Sequence, residues 1–211
     1  MMWPKNLKYI VLIGLMILAG ELAMGGMTDP QEKQDEAPKA KAIFAGGCFW
    51  CVEEAFEEVE GVVSATSGYI GGEAPNPTYK QVSAGGTGYA EAVEIVYDPN
   101  KVTYQQLLDV FWKNIDPTTP NQQFCDKGDQ YRSAIFYLDN SQKQLAEESK
   151  RRVEQTKTFA QPVVTELTMA TKFYPAEDYH QDFYKRNPVR YKFYKWNCGR
   201  AQRLEELWGT A

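Results

Sequence analysis

Histidine is almost missing from this chain: one residue, His180, stands among 211. Chemistry must therefore rest mostly on cysteines, carboxylates and tyrosines. Basic charge is also short. Lys and Arg number 23 against 28 Asp and Glu, for a net charge of −5. That balance argues against a nucleic-acid binder, because phosphate neutralisation needs a basic face. The apolar run "YIVLIGLMILAG" (9–20) stops after 12 residues, whereas roughly 20 are needed to span about 30 Å of hydrocarbon. No cysteine follows it, which argues against a lipid anchor. Only one C-x-x-C is present, so a structural zinc site, which favours paired knuckles, is disfavoured. "GGTG" (85–88) lacks the strand-to-helix junction of a phosphate loop, and no internal repeat is evident.

What is present reads as an export signal followed by one domain. Lys5 and Lys8 precede the apolar run, and small residues Ala23 and Gly25 follow it, in the order of a signal peptide with its cleavage site. Residues 1–27 are therefore expected to direct export to an extracytoplasmic compartment; extending the apolar stretch to Met27 would make them a membrane anchor. Residues 28–40, polar and proline-bearing, read as a linker. Residues 41–211 are long enough for one domain, and 43% hydrophobic with 24% charged residues suits a globular core.

Within that domain "AIFAG" reads as a buried strand, and "CFWCVEEAFEEV" as a helix ended by Gly61. "VVSATSGYI" reads as a strand. "YAEAVEIVYD" alternates, with Glu91, Val93, Ile95 and Tyr97 on one face. Thr103 is placed to cap a helix over "YQQLLDVFWKN". A further strand, "RSAIFYLD", precedes a charged helix starting at Asn140 or Ser141, then extended "VVTELTMATKFY". The order β-α-β-β-α-β predicts an α+β fold of the ferredoxin-like, split βαβ type, wrapped by an aromatic-rich C-terminal third. Two long loops, 71–88 and 116–131, are expected to be functional. They carry Tyr79, Cys125, Asp126 and Tyr131.

Cys48 falls at the expected first turn of a helix, where free N–H groups and the helix dipole favour a thiolate. Cys51 lies one turn on, placed to attack an oxidised Cys48. Four cysteines, at 48, 51, 125 and 198, can pair in three ways. The bare C-x-x-C is shared by thioredoxin-like dithiols, metal knuckles and catalytic pairs, and a structural staple without turnover is a further reading. Phe49 aligns with Val52 and Phe56 as core or pocket; Trp50 fits the buried stripe less well. An aromatic wall of this kind suits a soft apolar substrate group.

"GCFW" with its acidic helix, "GYIGG", "NPTY", "TGYAEAVEIVYDP", "FWKNIDPTTPNQQ", "DKGDQYRSAIFY" and "AEDYHQ" occur in that order. Together they resemble the A-type peptide methionine sulfoxide reductases over about residues 41–209. The resemblance implies Cys48 as the nucleophile toward the sulfoxide sulfur and Glu91 as the acid that protonates its oxygen. It implies Tyr79 and Tyr131 as holders of that oxygen, Asp126 as a residue that sets the pocket, and Phe49 and Trp50 as the methyl wall. It implies no metal and no organic cofactor. The expected partners are oxidised proteins, free methionine sulfoxide and a thioredoxin-like reductant, with the enzyme a monomer. Cys51 is expected to resolve the sulfenic acid first, with Cys198 next. His180, in a presumed helix, is read as structural.

Overall fold

The computed structural model describes residues 38–209. The export signal or anchor and most of the linker lie outside the described residues. Among those residues no helix is long and apolar enough to cross a membrane.

Apolar strands assemble the centre. β1 (Ala40–Gly46) and β3 (Ala90–Tyr97) pair antiparallel, and β2 (Val62–Ile70) continues the sheet beyond β3. β6 (Ser133–Tyr137) flanks β1 on the other side. Two edge strands, β7 (Glu166–Met169), parallel to β6, and β8 (Tyr174–Pro175), antiparallel to β2, complete the order β7-β6-β1-β3-β2-β8. The result is a mixed α/β fold around a central mixed sheet.

Side-chain alternation decides what each face buries. Phe44 of β1 and Val93 and Ile95 of β3 face the main core. There they meet α1 (Phe49–Glu57), α3 (Tyr104–Lys113) and α4 (Asn140–Thr156) through residues such as Phe56, Leu108 and Val153. Ile43, Ala45, Ala90 and Ala92 face a smaller cluster closed by Phe173. Glu91 shares the main-core face, so it points in among apolar side chains.

Helix ends follow local chemistry. Thr103 Oγ accepts from Gln106 N while Gln106 Oε1 accepts from Thr103 N, a capping box for α3. The charged helix is capped by Asp139, one residue before the expected start, because its carboxylate accepts from Gln142 N at 2.8 Å. The first long loop contains the short helix α2 (Tyr79–Ser83). The second contains a two-strand ribbon, β4 (Gln122–Gln123) with β5 (Asp126–Lys127), and a 3-10 turn, Asp129–Tyr131. His180 sits in turns and not in a helix. The C-terminal third then forms α5 (Phe183–Arg186), α6 (Pro188–Asn197) and α7 (Arg200–Trp208).

Candidate active site

β1 ends in Gly46 and Gly47, and the chain turns there at once into α1. Gly47 has φ +84°, and a Cβ on it would lie 2.4 Å from Gln123 Cβ. Gln123 cannot yield, since it is fully buried and bonded to Asp116 N and Asp116 O at 2.9 and 2.6 Å. Only glycine fits. The turn puts Cys48 at the N-cap of α1, with no side-chain cap bond. Because β3 runs antiparallel to β1, the start of β3 lies beside this turn, and Phe49 N donates to Glu91 Oε2 at 3.1 Å.

A cavity of about 70 Å3 opens over Cys48. Cys48, Phe49, Trp50 and Glu91 line it from the strand and helix ends. Tyr79, Asp126 and Tyr131 line it from the two long loops, and Tyr194 from α6. Seven residues expected from the sequence thus converge on one cavity, together with one that was not. Trp50 is fixed on two sides: Nε1 donates to His180 Nδ1 at 3.2 Å, and Phe183 stacks on its ring at 3.8 Å. Glu177 accepts from Tyr79 N and from the Tyr69 hydroxyl, each at 2.9 Å, and so anchors the start of α2. The Tyr194 hydroxyl donates to Asp126 Oδ2.

The electrostatics suit proton donation. Burial pushes the Glu91 carboxyl up to about 8, against the pull of the Phe49 N–H, so it holds its proton at neutral pH. Burial, then the Glu91 charge, pushes the Tyr79 hydroxyl up to about 12. Tyr131 is raised for the same two reasons, and both remain donors.

The thiols correct one sequence expectation. Burial pushes the Cys48 thiol well up, its hydrogen bond to Cys51 adding to the effect. Cys51, which receives that hydrogen bond and feels the Arg200 and Lys195 charges, is brought down to about 6. Burial, the largest influence on Cys48, outweighs the pull of the helix N-terminus. Both thiols are free and nearly buried, whereas Cys125 and Cys198 form a disulfide.

A family model described as "Peptide methionine sulfoxide reductase" matches residues 40–211. The chain belongs to the peptide methionine sulfoxide reductase family. It is similar to MsrA of Streptococcus uberis, at 49% identity over 80% of this chain and 98% of that protein. It is 50% identical to MsrA/MsrB of Vibrio cholerae over 81% of this chain, and spans 45% of that longer protein. Among solved structures, Mxr1 from Saccharomyces cerevisiae in reduced form superposes with a TM-score of 0.68 at 30% identity, covering 74% of this chain and 92% of that one. Mxr1 in complex with Trx2 matches at 0.50 and 21% identity over 72% of this chain and 91% of that one, a likeness that concerns the fold alone.

The protein is thus a thiol-dependent reductase of methionine sulfoxide. Sequence reasoning missed three parts of this reductase site. Tyr194 lay unmarked among the many aromatics of the C-terminal third. Glu177 stood in the recognised "AEDYHQ" without a visible role, and His180, read as structural, without its contact to Trp50. Their tasks, anchoring Tyr79 and Trp50, depend on contacts 98 and 130 residues away.

Proposed function

We propose that the cavity over Cys48 reduces the S epimer of methionine sulfoxide, free or in proteins, and so repairs oxidised polypeptides. The convergence of a thiol, a protonated buried carboxyl and two tyrosine hydroxyls carries this reading. Phe49 and Trp50 receive the S-methyl group. Tyr79 and Tyr131 donate to the sulfoxide oxygen, and Asp126, held by Tyr194, shapes the far wall. As Cys48 attacks the substrate sulfur, its proton passes along the existing hydrogen bond to Cys51. Glu91 gives its proton to the oxygen. The substrate sulfur gains two electrons, and the oxygen leaves on Cys48 as a sulfenic acid. Attack by Cys51 then expels water and forms a Cys48–Cys51 disulfide. Cys51 is favoured as resolver because it is free and adjacent, while Cys198 is bonded to Cys125; Cys198 acts next, once a thioredoxin-type dithiol has reduced its bond to Cys125 and freed its thiol. A thioredoxin-type dithiol returns the enzyme to its reduced state, as the Mxr1–Trx2 pairing suggests by analogy.

The four long strands in the order β6-β1-β3-β2, all antiparallel to their neighbours, support a ferredoxin-like split βαβ plait. The apolar run after Lys5 and Lys8 supports export, with residues 1–27 cleaved or held at the membrane. Turnover of each sulfoxide epimer by wild type and by Cys48→Ser tests the activity. S-selective reduction lost in Cys48→Ser is expected; preference for the R epimer would overturn the reading.

A further inference from the structure

The chain is acidic overall, yet residues 183–197, "FYKRNPVRYKFYKWN", hold five Lys or Arg and no Asp or Glu. Lys185 pairs with Glu57 and Asp182, and Lys195 with Glu54. Arg186 Nη1 donates to the Asp178 carbonyl. Arg190 and Lys192 make no ion pair among the described residues. Between them runs an apolar stripe: Val189, Phe193 and Trp196, spaced as one face of α6, are 83%, 65% and 77% exposed. Asn187, Pro188, Val189, Arg190 and Phe193 line an open groove of about 520 Å3. Contiguous exposed apolar surface beside unpaired charge marks an interaction site.

The position of the groove says what lies in it. The Arg190 guanidinium sits 5.7 Å from the Phe183 ring centroid, and Phe183 stacks at 3.8 Å on Trp50. Phe183 therefore links Arg190, at the edge of the groove, to Trp50 in the cavity wall. The opposite face of the same helix supplies Tyr194 to that cavity. A cavity of about 70 Å3 admits only the reacting end of one side chain, so the rest of a polypeptide substrate must run along the outside. At about 3.3 Å per residue, an extended chain crosses from Trp50 over Phe183 to Arg190 in about three residues.

We propose that this outer face of α6 docks polypeptide substrates, selecting an acidic side chain about three residues from the oxidised methionine. The proposal rests on the reading of the cavity as the sulfoxide site. Arg190 and Lys192 supply the charge complementary to an acidic side chain, and Val189 and Phe193 the apolar floor. Free methionine sulfoxide, with no flanking chain, does not use the groove.

The test compares two oxidised peptides, identical except for Asp or Lys three residues from the methionine sulfoxide, with free methionine S-sulfoxide as reference. Rates are taken with dithiothreitol and again with thioredoxin. Wild type is expected to prefer the Asp peptide by about fivefold in kcat/KM, the size of an exposed ion pair. Arg190→Glu should erase that preference, and Phe193→Ser should raise KM for both peptides. Both variants should leave free methionine sulfoxide turnover intact. Equal use of the two peptides by wild type would overturn the proposal. So would a rise in KM for thioredoxin alone, which would make the face a reductant dock. Loss of binding to anionic phosphatidylglycerol vesicles in Phe193→Ser, with unchanged peptide kinetics, would reassign it to a membrane surface. Failure of wild type to reduce free methionine S-sulfoxide would sink the cavity reading itself, an outcome distinct from all of these.

Discussion

A carboxyl that must give up a proton near neutrality has to be kept from ionising, and Glu91 is kept so by burial, at 2% exposure among Phe49, Tyr69 and Val93. Its pKa of about 8 sets an alkaline limb on kcat/KM, since activity is lost as the acid ionises. Glu91→Gln should cut kcat by roughly 10²–10⁴-fold and remove that limb, read from a pH–rate profile. Glu53 behaves differently, although it too is buried. Burial raises it to about 7 while Ser67 Oγ and Asp182 N donate to its two oxygens. A folded-state pKa above the unfolded one contributes stability fully present below the unfolded value and lost as pH rises through the folded one. Glu53→Gln should therefore be more stable than wild type at pH 8 by on the order of 1 kcal/mol, with the difference shrinking toward pH 5. Urea denaturation at the two pH values checks it; an equal difference at both would contradict the linkage. Glu91 could be marked in the sequence by the alternation of its strand and by its motif. That Glu53 is a structural acid could not, because it takes donors from β2 and from the turn before α5.

The element that matters most is the turn from β1 to α1. Its glycine, Gly47, lies at φ +84° against the locked Gln123. Gly47→Ala combines left-handed strain with a clash against the locked Gln123 side chain, and should cost about 2–4 kcal/mol and displace Cys48. Thermal unfolding and Cys48 alkylation rates would report both effects; a fully stable, fully active Gly47→Ala would show that the turn relaxes. The strand-to-helix junction was legible from "AIFAGGCFWCVEEAF", since apolar run, glycines and helical spacing follow each other directly. The short helix α2 was not legible. It forms inside a glycine- and proline-rich loop because Thr78 and Gln81 cap each other and Glu177 takes the Tyr79 N–H. His180, expected in a helix, lies in a turn that aims its Nδ1 at Trp50.

Across the whole molecule, the C-terminal helices are tied back to the second long loop. Cys125–Cys198 closes a loop of 73 residues and sits beside Asp126, whose carboxylate takes the Tyr194 hydroxyl. Replacing both cysteines by serine should cost about 2–4 kcal/mol under non-reducing conditions, read as a lowered midpoint in guanidinium. No loss would mean the two sulfurs are not joined in solution. Local pattern alone determined the strands and the amphipathic helices, because periodicity and short-range turn chemistry act within a few residues; the seven cavity residues from Cys48 to Tyr131 were named through the family resemblance. Tertiary structure decided which cysteines pair, that burial raises Cys48 while Cys51 is lowered, and that Tyr194 joins the site. Those outcomes depend on burial and on charges such as Arg200 and Lys195, brought beside Cys51 from the far end of the chain. Distance along the sequence carries no information about such fields until the chain has folded.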